Sequence, residues 1–276
     1  MLVPTGELVA AARTRGAGVG AFNVITVEHA EAIVSGAEEA GLAVILQISE
    51  NAVRFHHNRL GPIAAAARSI AELATVPVAT HLDHVTDDEL LDQASANGFG
   101  SVMYDASARK FADNVAATAA ATRRCHATGL WVESELGEVG GKDGAHAPGV
   151  RTDPDDAARY VEATGVDALA VAVGSSHAMT TRTARLDHDL IRRLRDAVPV
   201  PLVLHGSSGV SDDELVAAIG AGMVKINIGT ALNKAFTGAV RATLDARATL
   251  VDPRPYLSAA RSDMATAVAH LLRVLA

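Results

Sequence analysis

Apolar residues along the chain collect in eight short runs, and polar residues gather where each run ends. The runs are GVGAFNVI (18–25), LAVILQIS (42–49), PVATHLDH (77–84), GFGSVMYD (98–105), GLWVESEL (129–136), VDALAVAV (166–173), PLVLHGS (201–207) and MVKINIG (223–229). Most are apolar or β-branched on both faces, the pattern of strands in a sheet covered on either side. Between them the period lengthens. Residues 27–40 place Val27, Ala30, Val34 and Ala37 on one stripe and Glu28, Glu31 and Glu38 away from it, which predicts an amphipathic helix. Thr86 with Glu89, and Ser211 with Glu214, fit capping boxes that start helices just after a strand. A last helical pattern runs through Met264, Val268, Leu271 and Leu275.

Strands alternating with helices in this number predict a (β/α)8 TIM barrel, a single domain over residues 1–276. The alternative is an open doubly wound sheet, but eight runs favour closure and the first is not followed by the GxGxxG of a dinucleotide site. No Ser/Pro/Gly-rich linker divides the chain. Chemistry in such a barrel belongs at the C-terminal mouth.

Composition narrows the class. The chain is 49% hydrophobic and 20% charged, enough for a substantial core, and at 3% aromatic that core is built from Ala, Val, Leu and Ile. A net charge of -8 with no basic block argues against nucleic acid as a partner. Cys125 is alone, so no intrachain disulfide forms, and no stretch reaches membrane-spanning length. The expected setting is cytoplasmic, away from membranes.

Three histidines at run ends open onto the predicted mouth: His84, His177 and His205. Three neutral imidazoles with an open fourth position can hold Zn²⁺ as a Lewis acid, although a single strand-end histidine is more often structural. His81 and Asp83 share strand parity, whereas His84 points the other way unless the backbone turns. His81 therefore reads as supporting. Asp83 reads either as a proton-transfer group or as a helix cap or partner that orients an imidazole. Asp105 and Glu135 offer a second metal position or solvated rim groups, and Glu133 shares the parity of Glu135. HGSSG (205–209) and NIGT (227–230), after the seventh and eighth runs, present permissive backbone donors where this architecture often binds phosphate. Lys225 faces either the mouth or the surface.

HLDH, SVMYDAS, VESELGEVGG, HGSSGVSDDEL, KINIGT and DPRPYL together resemble the class II, metal-dependent fructose-bisphosphate and tagatose-bisphosphate aldolases, in order from FNVI to DPR. The resemblance implies a barrel that assembles as a homodimer or homotetramer and acts on a small phosphorylated sugar. It implies zinc on His84, His177 and His205, with Asp105 and Glu135 near an alternative metal position. Asp83 matches the aspartate that deprotonates the substrate's C4 hydroxyl. Gly206, Ser207 and Ser208, with Asn227, Ile228, Gly229 and Thr230, match the site for the dihydroxyacetone-phosphate half. Asn23 and Ser49 match pocket-lining residues, and Arg254 matches an arginine at the phosphate of the aldehyde half.

Three departures stand out. The family's GTAHG is GSSHA here, so Ala178 replaces a glycine that helps hold phosphate and a monovalent cation, Na⁺ or K⁺. Its Cβ disfavours positive φ. The acidic pair of the loop after the fifth run reads GGKDG, which leaves Asp143 as the loop acid or base. Gly229 replaces an acidic or small residue at a variable position. The expected reaction is zinc-dependent reversible cleavage of a ketose 1,6-bisphosphate, fructose favoured over tagatose. The alternatives are a related phosphosugar lyase or isomerase and a phosphosugar-binding barrel without catalysis.

Overall fold

The computed structural model describes residues 1–137 and 150–276. Among these, β1 (Val19–Asn23), β2 (Val44–Ser49), β3 (Val78–Val85), β4 (Ser101–Tyr104), β5 (Trp131–Leu136), β6 (Ala168–Val171), β7 (Leu202–Leu204) and β8 (Met223–Ile228) form a closed parallel barrel in chain order. Closure is made by β1 pairing with β8, Val19 through Phe22 against Lys225 through Ile228. Every apolar run became a strand, trimmed at one end or both, except that β3 runs on to Val85. Before β4, for example, Gly98 holds a left-handed turn at φ 78°, so the ladder starts only at Ser101.

Helices α1 (Thr5–Arg15), α2 (Val27–Ala40), α3 (Glu50–Phe55), α4 (Leu60–Leu73), α5 (Asp88–Gln93) and α6 (Phe111–Ala127) belong to the first half of the chain. Helices α7 (Pro154–Thr164), α8 (His188–Ala197), α9 (Asp212–Ala221), α10 (Thr230–Ala246) and α11 (Arg254–Leu275) belong to the second. Outward-facing strand residues such as Phe22, Leu46, Leu82, Val132 and Ile226 pack with the helices in one large buried cluster. A separate cluster inside the barrel joins Ala21, Ile45, Ala79 and Val224 to Leu8, Val9 and Ala12 of α1. Thus α1 plugs the barrel at one end, and polar side chains are left to the other.

The predicted helix over 27–40 coincides with α2, and Met264, Val268, Leu271 and Leu275 are buried on α11, which packs against α2 and α10. Val27 departs from its stripe: at the first turn of α2 it is 43% exposed. The capping box expected at Thr86 is absent. Asp87 caps α5 instead, accepting from the Glu89 N–H at 2.8 Å, because the Thr86 hydroxyl and N–H are both given to Glu50. Ser211 does cap α9, accepting from the Glu214 N–H at 3.3 Å, but the Glu214 carboxylate turns to His188 at 2.9 Å rather than closing the box.

Candidate active site

Strand alternation would send Asp83 and His84 to opposite faces of β3. The backbone breaks that alternation. His84 sits at φ 52°, and the pairing of β3 with β4 shifts register between Leu82 and Val85. A non-glycine residue in the left-handed region is uncommon and is found where a side chain must be re-aimed. Here it lets Leu82 and Val85 stay buried outside the barrel while Asp83 and His84 both line the cavity at the mouth.

The rings of His84, His177 and His205 meet there, with centroids 4.7–5.7 Å apart and planes at 72–86° to one another. His84 Nδ1 lies 2.9 Å from the Asp105 carboxylate, and His205 Nε2 lies 2.8 Å from the Glu133 carboxylate. Each carboxylate accepts the ring N–H, which fixes the tautomer and leaves the other nitrogen as a lone-pair donor. Those two nitrogens, His84 Nε2 and His205 Nδ1, face each other at 3.0 Å. Opposed lone pairs repel, and a cation between them removes the repulsion. Ligand atoms of His84, His177, His205 and Glu135 all lie within 4.8 Å of one another. Four ligands around zinc at about 2.1 Å stand roughly 3.4 Å apart, so the donor set and its spacing fit such an ion. Glu135 belongs to this group, and Asp105 does not. Asp105 stands behind the His84 imidazole, on its Nδ1.

Asp83 is buried beside this cluster. Its Oδ2 lies 3.5 Å from Gln47 Nε2 and 3.9 Å from His84 Nε2, and its Oδ1 lies 3.5 Å from Asn227 Nδ2. Burial opposes its ionisation, but positive charge beside it, on a protonated His84 or His205 and on Lys225, outweighs burial and holds the carboxyl below its ordinary value. It is therefore ready to accept a proton. Lys225 is fully buried inside the barrel, away from the surface, ion-paired with Glu133 Oε2 and donating to Asn227 Oδ1, each at 2.7 Å. Burial would raise the Glu133 pKa, yet Lys225 and His205 pull it well below the usual carboxylate range. His81, at 2.8 Å from Ser101 Oγ, is pushed down to about 3 by burial and Lys225, against Glu133 and Asp83, and stays neutral beneath the site.

The mouth opens into a cavity of about 660 Å³, within the usual span of small-ligand sites. Asn23, Ser49, Ala178, Gly206 and Ser208 line it, as do Asn227, Gly229 and Thr230. Gly206 has to be glycine: φ is 66°, and a Cβ would approach the Ser176 backbone to 2.5 Å. Ala178, in contrast, keeps a glycine-like φ of 58° despite its methyl group. Two expected contacts are turned inward. The Ser207 hydroxyl donates to the Asn227 carbonyl at 2.5 Å, and Ile228 is buried on the ladder, so neither side chain lines the cavity. Arg254 also lies outside it, its side chain 88% exposed and paired with Asp252 at the start of α11. Asp143 falls outside the described residues. The sequence reading overlooked Gln47, which donates to Asn23 at 2.6 Å and approaches Asp83. Its signal was available: it is the one polar residue inside LAVILQIS, in phase with Ser49. Glu50 and Arg54 were overlooked as well, since charge after a strand end is ordinary.

The family model described as "Fructose-bisphosphate aldolase class-II" matches residues 3–276. The chain belongs to that family. It is an aldolase, a carbon–carbon lyase of the metal-dependent class. This aldolase is 38% identical over 288 residues to "Fructose-bisphosphate aldolase" of Thermus caldophilus, a match covering 95% of this chain and 93% of its relative. Its fold matches the crystal structure of the YdjI aldolase from Escherichia coli K12 with a TM-score of 0.86 and 33% identity, over 100% of this chain and 97% of the other. The fold of a fructose-bisphosphate aldolase from Campylobacter jejuni also matches, with a TM-score of 0.83 at 24% identity over 99% and 95% of the two chains. Among the described residues no helix is long and apolar enough to cross a membrane.

Proposed function

We propose that this aldolase cleaves fructose 1,6-bisphosphate reversibly to dihydroxyacetone phosphate and glyceraldehyde 3-phosphate, with zinc as its metal, in the cytoplasm, as a homodimer or homotetramer. The observation that carries the reading is the facing pair of imidazole lone pairs, His84 Nε2 and His205 Nδ1, with His177, Glu135 and an ionised Asp83 around them. Nitrogen ligands with an adjoining carboxylate suit zinc better than magnesium or calcium, which take oxygen ligands. When bound, zinc supplies Lewis-acid charge where negative charge develops on cleavage.

The chain's own residues do the rest. Asp83 takes the proton from the C4 hydroxyl, the C3–C4 bond breaks, and the electron pair is left on the dihydroxyacetone-phosphate half. Gln47 and Asn227 flank Asp83 and keep its carboxylate aimed into the cavity. Backbone N–H groups of Gly206, Ser208, Gly229 and Thr230 are the donors this reading assigns to the phosphate of that half, a short-range anion site in an otherwise acidic protein. Support for fructose 1,6-bisphosphate comes from the motifs in the chain and from the name of its Thermus caldophilus relative. Purified enzyme, stripped of metal and then replenished with zinc, is tested on fructose and tagatose bisphosphates with dihydroxyacetone phosphate as the readout. Zinc-restored release from the fructose substrate is expected. Equal turnover before and after stripping removes the metal role, and cleavage of tagatose bisphosphate alone reassigns the substrate.

A further inference from the structure

Among the described residues lining the cavity, Arg54 is the one lysine or arginine. It shares the cavity with three side chains that carry negative charge when ionised, Glu50, Asp83 and Asp105. Arg54 is not placed there by chance packing. Its guanidinium is bonded to Glu50, and it donates to Asn51 Oδ1 at 3.3 Å. Glu50 is itself fixed, accepting from the Thr86 N–H at 2.6 Å and the Thr86 hydroxyl at 3.0 Å. The anchor is 7% exposed, whereas the Arg54 side chain is 60% exposed. A guanidinium has five N–H donors in a planar fork. Two contacts leave donors free to face a ligand.

The barrel decides which ligand group that is. Arg54 lies on α3, directly after β2, and β2 pairs with β3 so that Ser49 stands opposite Asp83. The phosphate donors lie elsewhere on the rim, after β7 and β8. A ketose spanning the mouth with its C4 hydroxyl at Asp83 and its first phosphate at β7–β8 sends its remaining carbons toward the β2–α3 rim. Arg254, the residue expected at that end, lies outside the cavity.

We propose that Arg54 determines specificity for the aldehyde half, reading a phosphate or carboxylate carried at its far end. The inference rests on the aldolase reading above and adds the substrate class at the distal end. A guanidinium fork matches either anion in a two-point hydrogen bond.

The test uses zinc-loaded full-length enzyme in the condensation direction, with dihydroxyacetone phosphate and one of three aldehydes: glyceraldehyde 3-phosphate, succinic semialdehyde or uncharged glyceraldehyde. The parent should favour at least one anionic aldehyde over the neutral one in kcat/KM. In Arg54→Ala that preference should fall roughly tenfold or more, the effect of losing a charge-assisted hydrogen bond, mainly through the aldehyde KM. Arg54→Lys should retain part of it, since charge survives and the fork does not. Loss confined to the phosphorylated or to the carboxylated aldehyde identifies the anion. An equal fall for charged and uncharged aldehydes, or a parent without preference, overturns the assignment while leaving the aldolase reading intact. No condensation with any aldehyde removes both.

Discussion

At the scale of single residues, two positions lining the cavity hold a non-glycine residue in the left-handed region, and the site depends on one of them. His84, at φ 52°, brings its imidazole to the same side as Asp83. The parity of HLDH placed the two on opposite faces, and only the bulge in β3 reconciles them. Asp83 is expected to act on protons and not to hold the metal, so Asp83→Ala should retain zinc, measured by elemental analysis, while kcat falls by about 10²–10⁴, the usual contribution of a general base. A variant within about twofold of the parent would remove Asp83 from that role. Ala178 is strained without an evident return. The left-handed region costs an L-residue roughly 1–2 kcal/mol, against about 0.4–1 kcal/mol for the added freedom of glycine in the unfolded chain. Ala178→Gly should therefore stabilise the protein by about 0.5–1 kcal/mol, read as a small rise in Tm, and a fall in Tm would contradict the strained geometry.

At the scale of elements, β5 and β8 face each other across the barrel through Glu133 and Lys225, both fully buried. The pair links β5 and β8 to the segment after β7, because Glu133 also holds His205, while Lys225 positions Asn227 on its own strand. Breaking a buried pair leaves an uncompensated charge and costs about 3–5 kcal/mol. Lys225→Met should show a loss of that order in urea unfolding. Adding Glu133→Gln should return part of it, because the stranded carboxylate is gone, and strictly additive losses would show that the two do not interact. Alternation told of Glu133 beside Glu135 and of Lys225 beside Asn227, but parity cannot say whether a charged side chain on a barrel strand meets a partner. The capping signals illustrate the same limit. Ser211 caps α9 as its spacing suggests, whereas Thr86 is taken by Glu50, a residue from another segment with no local trace in the sequence around Thr86.

At the scale of the whole molecule, the metal cluster draws on β3, β5 and the segments after β6 and β7, so occupying it ties together much of the barrel. An ion that binds only the folded state stabilises it by RT ln(1 + [L]/Kd), about 2.7 kcal/mol at a hundredfold excess over Kd. For a chain of this size each kcal/mol moves Tm by about 2–4 °C. Chelation should lower Tm by several degrees and zinc should restore it. His205→Ala should abolish the zinc-dependent part of the shift. Calorimetry that finds no difference between stripped and zinc-loaded protein would place the ion outside these residues.

The chain by itself determined the barrel and the segments that form its mouth. Eight apolar runs with polar ends alternate with amphipathic helices, and burial on both faces of a parallel sheet leaves that pattern in composition alone. It also supplied the three histidines and Asp83, because strand ends are local features. Direction was beyond it. Which imidazole Asp105 meets, whether Lys225 is inside, and whether Arg54 or Arg254 faces the cavity are decided by closure of the barrel and by one left-handed residue in β3. Those are contacts between segments far apart in the chain, and a periodicity read along one strand carries no information about what stands across from it.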